Sequence, residues 1–290
     1  MKKLILSVAI LAASKMVLAC DATTDPTLNE IKKDITLSIK KTGMDVIFEY
    51  LPVKCKSWPQ YPGLDIIVTP YSYGKGNEDK YFGMIISVVD EKRKTAAMHL
   101  DERKVASIDE LDLIYPDNVT IDTANYKTGR GNFLFGVRVS MSKLRNPTVT
   151  FFQDEFMTMY DISQGTIRPV VNKLVMSSFT GEGDGECLFS TTESTTLISV
   201  GKQASNGFAD MIARVKITLS KLKTDYGNCR KTHTESFTKE YTLKFNGKNY
   251  DIPLQLYKSD RLWEEFIESR QHESHEQPTP ANDDSLNPKR

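Results

Sequence analysis

The sequence predicts an all-β protein, built mainly of antiparallel meander or sandwich-like sheets, with one C-terminal helix. Three observations carry that reading. Long runs alternate apolar and polar side chains, as in Phe133–Met141, Met211–Ser220 and Phe237–Phe245, the period of a strand with one face on a core. Turn signals separate them, above all Asn246-Gly247, because both central positions of a type I′ turn require positive φ. A full helix is expected only on the C-terminal side, where Leu262, Trp263, Phe266 and Ile267 follow a Ser259-Asp260 cap at helical spacing.

Taken in order, residues 1–19 read as a signal peptide. Lys2 and Lys3 precede an apolar stretch, Leu4–Ala13, and Val17-Leu18-Ala19 suits signal-peptidase cleavage. The apolar stretch is shorter than the about 20 residues a membrane span needs. Val17-Leu18-Ala19-Cys20 also resembles a loose lipobox, so lipidation of Cys20 is the alternative route, and membrane attachment is expected only in that case. Against it stands cysteine parity: Cys20, Cys55, Cys187 and Cys229 form an even set able to close two bridges in an oxidising compartment. The expected location is periplasmic or secreted.

Residues 20–63 read as an N-terminal unit. Pro26 opens one or two helical turns. Ile35, Leu37 and Ile39 then alternate with polar residues, turn at Thr42-Gly43, and pair with Met44–Tyr50 as a hairpin. Pro52, Pro59 and Pro62-Gly63 mark a loop that carries Cys55. The main β region, 64–258, opens with Leu64–Thr69 and Tyr81–Val89, near-continuous apolar runs expected of strands covered on both faces. Thr95–Leu100 reads as a third strand and Ser107–Leu113 as a short helical turn. Thr148–Phe152, Phe156–Tyr160, Thr166–Val171 and Leu174–Ser178 read as short strands.

Thr180–Gly247 is the organising stretch. A glycine-rich acidic loop, Gly181–Glu186, ends at Cys187. Ser194–Val200 and Phe208–Leu219 form a hairpin around Gly201–Gly207, and Ser236–Phe245 adds a third strand. A Cys187–Cys229 bridge is expected to staple its base, with Cys20 and Cys55 left as the second pair. Helix 259–270 follows. Residues 271–290 are polar and proline-bearing, a composition that cannot bury enough surface to offset ordering entropy.

Three openings of hairpin units, Leu64–Val68, Phe135–Val139 and Ala209–Ala213, hint at a repeat and offer a propeller-like arrangement as the alternative sheet plan. The runs Ile121–Tyr126, Phe135–Ser140, Asn146-Pro147 and Gly181–Cys187 together resemble a family of uncharacterised exported proteins of Gram-negative bacteria. That resemblance spans about Leu64 to Ile252 and implies a β-rich domain in a periplasmic setting; it implies no activity and no site residues.

The charge balance is even, 38 basic against 38 acidic residues. Removing Lys2, Lys3 and Lys15 with the leader leaves 35 against 38. Nothing in that balance attracts nucleic acid or anionic lipid. No Gly-x-Ser-x-Gly elbow or Ser-x-x-Lys box stands in a recognisable setting, and no metal or cofactor motif is present. Cys229 and His233 are spaced like half of a zinc clip that has no second half. Two sets of polar residues remain as candidates. Asp122, Tyr126 and Arg138 sit on the most distinctive strands. Glu182, Asp184 and Glu186 alternate in the acidic loop, without the ligand pattern of a calcium loop. In the bland reading Arg138 pairs with a carboxylate and the acidic loop is turn chemistry. The expected role is a binding module of inhibitor or immunity type, its partner a protein or envelope component; a hydrolase of an envelope polymer is the alternative.

Overall fold

In the computed structural model, residues 26–40, 47–75, 79–90, 92, 95–108, 112–113, 118–129, 131–145, 150–183, 188–225 and 228–257 are described. Expectations for the leader, Cys20, the 259–270 helix and the 271–290 tail lie outside them. The order of elements is α1 (Pro26–Lys40), β1 (Ile47–Tyr50), β2 (Lys54–Ser57), β3 (Leu64–Lys75), β4 (Asp79–Asp90), β5 (Thr95–Ile108), β6 (Asp112–Leu113), β7 (Val119–Lys127), β8 (Phe133–Arg145), β9 (Thr150–Asp161), β10 (Arg168–Gly183), β11 (Leu188–Ser205), β12 (Phe208–Asp225), β13 (Asn228–Leu243) and α2 (Leu254–Tyr257). The all-β class stands, with strand making up 73% of the fold and two short helices.

The strands form two antiparallel sheets rather than radial blades. The first runs β1-β3-β4-β5. β2 continues β1 along the same edge of β3: Tyr50 pairs with Tyr71 and Lys54 with Val68. Pro52 lies in the break between them, bridged by the Leu51 N–H donating to the Pro70 carbonyl at 2.9 Å. The second sheet runs β13-β12-β11-β10-β9-β8, with β7 and β6 both pairing with β8. It curls into a half-barrel. The curl has a local cause in β10, whose register slips three times between Pro169 and Ser177 and whose Lys173 takes a φ of 52°. Such bulges bend a strand and increase its twist. β10 pairs with β9 from Arg168 onward but with β11 only from Ser177.

One face of the first sheet meets β7 and β8. Ile66, Val68, Phe82, Met84 and Ile86 pack there against Val119, Ile121, Phe135 and Val137, with Trp58 and Tyr160 among them. The other face lies under α1, whose Ile31, Ile35 and Ile39 cover Tyr71 and Ile85 while Leu28 covers Ile67 and Val89. This bears out the reading of β3 and β4 as doubly covered strands. The half-barrel encloses the third core, from Leu134, Met157 and Leu174 across to Val215, Leu243 and Phe245.

Several expectations are corrected. The expected Ile35–Tyr50 hairpin is instead a helix through Lys40, followed by β1. Leu28, Ile31, Ile35 and Ile39 recur every three or four residues and are buried, whereas Leu37, inward in a strand, is 47% exposed. The apolar outer face of β3 and β4 needs a cover, and the helical stripe supplies it. Cys55 lies in β2 rather than in a loop. Ser107 and Ile108 end β5 and Asp112–Leu113 forms β6, so the described residues of the expected Ser107–Leu113 helical turn are strand; 109–111 lie outside the described residues. The paired short strands merge into two single strands, a regular β9 and a bulged β10. β11 runs on to Ser205, and the turn is only Asn206-Gly207, both at positive φ (48° and 83°), as a two-residue hairpin requires. The chain does turn at Asn246-Gly247, but not as the expected type I′ pair: Gly247 has φ 100° while Asn246 is not at positive φ, and the loop is four residues long, closed by the Phe245–Tyr250 bridge, with the Asn246 side-chain oxygen accepting from the Lys248 and Asn249 N–H groups. The described residues close on a four-residue helix, α2, inside the span expected to be β; the expected 259–270 helix lies outside them.

Candidate functional site

Of the two candidate sets, the structure assembles Asp122, Tyr126 and Arg138. β7 slips register between Asp122 and Tyr126: Asp122 pairs with Gly136 and Tyr126 with Leu134, so the segment bulges outward between them. Gly136 makes room for the bulge. A Cβ there would lie 2.8 Å from Met157 Sδ and 3.4 Å from Asp122 Cβ. From the first sheet, Lys56 Nζ donates to the Ile121 carbonyl at 3.0 Å and Gln60 Nε2 to the Thr123 carbonyl at 3.1 Å, gripping the bulge on either side of Asp122.

Asp122 collects donors at this bulge. Its Oδ1 accepts from the Ala124 N–H at 3.0 Å. Its Oδ2 accepts from Arg138 Nη2 at 2.5 Å, Arg138 Nε at 3.0 Å and the Tyr126 hydroxyl at 3.1 Å. Arg138 Nη1 donates to Glu155 Oε1 at 3.0 Å. The three charged side chains are 15–27% exposed, so the network sits at the rim of the half-barrel core rather than in open solvent. Burial pushes the Asp122 carboxyl up, but its hydrogen bonds from Ala124 and Arg138 and the Arg138 charge outweigh that and hold it below the usual carboxylate range. Burial, with the Asp122 charge beside it, pushes the Tyr126 phenol up to about 12.

The expectation that Arg138 pairs with a carboxylate is met, but not on a solvent face. Leu134, on the same side of β8, is 0% exposed within the half-barrel core, so β8 is covered on both sides. Glu155 was not identified from the sequence. Its place follows from strand register: Ser140 is its partner on β8, which sets it one diagonal step from Arg138.

The acidic set is not brought together among the described residues. Gly181–Gly183 closes β10 instead of opening a loop, and Glu182 is exposed on that strand; Asp184 and Glu186 lie outside the described residues. Cys55 lies on β2 opposite Ile67 of β3. Cys229 sits on β13 opposite Thr224, and Cys187 lies outside the described residues. No group of three potential metal ligands occurs among the described residues.

One further ionisable pair was missed. The buried Tyr160 hydroxyl of the second sheet donates to Glu102 Oε2 of the first at 2.8 Å. Burial raises the Glu102 carboxyl above its ordinary value, opposed by the Tyr160 hydrogen bond and by Lys173.

Chemically, the Asp122–Arg138–Glu155 network is a set of satisfied charges. The one guanidinium serves both carboxylates, and two carboxylates against one arginine leave one negative charge in excess. Ser140 Oγ donates to Glu155 Oε2 at 3.4 Å; among the described contacts no histidine is hydrogen-bonded to that serine, the arrangement a Ser–His acyl transfer would need. Against family models, curated proteins and solved structures, the chain matches none.

Proposed function

We propose that this is an exported binding module that engages a protein or envelope component, rather than a hydrolase. The observation that carries the reading is the state of Asp122. Four donated hydrogen bonds, two of them from Arg138, hold it ionised. A carboxylate so held is a poor general acid, and its lone pairs are occupied, which makes it a poor base. The network suits electrostatic recognition: a rigid, half-buried patch with one excess negative charge, matched to a partner that presents a basic group. Cleavage of the leader after Ala19 and bridges joining Cys187 to Cys229 and Cys20 to Cys55 belong to the same proposal, since export supplies the oxidising compartment they require.

Affinity capture with the mature protein from periplasmic extract tests it, run beside Glu155→Gln and Arg138→Met. A partner retained by the parent chain and released by Glu155→Gln at raised salt supports the reading. Turnover of an envelope polymer that is lost on Asp122→Asn or Glu155→Gln, with unfolding behaviour unchanged, would establish the hydrolase instead.

A further inference from the structure

The second sheet carries a polar face with two aromatic rings that no core uses. Directly paired residues of neighbouring strands share a face. Register therefore lays Gln153 of β9, Phe179 of β10 and Glu193 of β11 side by side. The next row, two residues along each strand, is Glu155, Ser177 and Thr195. Phe151 sits diagonally from Phe179, edge to face, with ring centroids 5.8 Å apart. Both rings are half-buried, yet neither belongs to nor packs against a core among the described residues. Gly181, paired with Phe151 on one side and Thr191 on the other, adds no side chain between them. Thr191 is 6% exposed and its hydroxyl makes no hydrogen bond, although buried hydroxyls normally have a partner. Through Glu155 this face runs into the Asp122–Arg138 network.

Its chemistry selects among partners. Protein interfaces are depleted of Ser and Glu at their centres, and a nucleic acid needs a basic footprint. Here three carboxylates, Asp122, Glu155 and Glu193, stand against Arg138 and against Lys216, which pairs with Thr195; one negative charge is in excess. Two rings set among an amide, carboxylates and hydroxyls match a ligand with C–H faces and a hydroxyl rim, which is a sugar ring. Sugar hydroxyls can donate to the carboxylates and exchange hydrogen bonds with the amide and the Ser and Thr hydroxyls. The excess charge is complemented by an amine. We infer that this face binds a saccharide chain bearing free amino groups, with Phe179 against a ring face, Gln153 and Glu193 on the ring hydroxyls, and the amine toward Glu155. The inference rests on the binding role proposed above and names the partner's class.

The probe is glycol chitosan, a soluble glucosamine polymer, cast into native gels. Glycol chitin, its N-acetylated counterpart, and hydroxyethyl cellulose serve as comparisons. Glycol chitosan is expected to retard the mature full chain with an apparent affinity about tenfold or more above either comparison. Phe179→Ala and Glu193→Gln should each weaken that retardation about tenfold, whereas Glu30→Gln on α1, the same change of charge on an exposed residue elsewhere, should not. Glu193 is exposed, so its variant serves if Phe179→Ala fails to fold. No retardation by glycol chitosan would overturn the inference. So would an equal effect of Glu193→Gln and Glu30→Gln, which would reduce the binding to bulk charge, or a preference for either comparison polymer. Capture of a protein partner through Glu155, with no retardation by glycol chitosan, would strike this inference and leave the binding role standing. Shortening of the polymer on incubation would give the face to a hydrolase and strike both.

Discussion

Replacing Arg138 by Met is the sharpest test of the site. The change keeps most of the aliphatic stem and removes the only cation seen to serve both Asp122 and Glu155. Exposed ion pairs contribute about 0–1 kcal/mol, whereas removing one partner of a buried pair costs about 3–5 kcal/mol because a charge is left uncompensated. At 15–27% exposure the network falls between these, and Asp122 keeps its Ala124 and Tyr126 donors. The expected loss is about 2–3 kcal/mol at pH 7, bounded by those two limits. For a domain of this size that corresponds to a fall in Tm of roughly 4–12 °C. The pH dependence adds a second check. Asp122 is depressed in the folded state, so its stabilisation is present above the unfolded value of about 3.9 and is lost as pH falls through the lower folded value. The gap between parent and Arg138→Met should therefore be full at pH 7 and narrow below about pH 4. Urea unfolding at pH 7, 5 and 3.5 measures it, and a double-mutant cycle with Asp122→Asn isolates the pair. A loss under about 0.5 kcal/mol, or one that stays constant down to pH 3.5, would refute the reasoning.

Four other outcomes are expected. Glu102→Gln should raise stability at pH 8 relative to pH 5: the folded carboxyl is raised by burial, so its ionisation costs stability as pH rises through the folded value; a larger loss at pH 8 than at pH 5 contradicts this. Ile35→Ala should cost about 2–4 kcal/mol and Leu37→Ala less than about 0.5 kcal/mol, measured by denaturant melts; comparable losses at both positions would return this stretch to a strand. Non-reducing peptide mapping should join Cys187 to Cys229 and Cys20 to Cys55, and loss of the first bridge should cost about 4 kcal/mol in the chain-entropy model; a Cys55–Cys187 peptide would overturn the pairing. Intact-mass measurement of exported protein should give a chain beginning at unmodified Cys20, and added acyl mass would place it on a membrane instead.

The sequence alone determined the class of fold, because period-two alternation and Asn-Gly turns act locally. β12 and β13 were legible for that reason, and so was the double covering of β3 and β4. It also drew attention to Asp122, Tyr126 and Arg138 as polar residues in strand context. What only the tertiary structure decided was whatever depends on neighbours distant in the chain. Ile35 and Ile39 fit both a strand and a helix, and the choice fell to the exposed apolar face of β3 and β4, whose need for a cover no local window contains. Glu155 joined Arg138 through a register set across β8 and β9. The bulges of β10, which turn a flat meander into a half-barrel, follow from strands of unequal pairing length. Local periodicity says that a side chain faces a core; it does not say which of three cores, nor which charge will be waiting there.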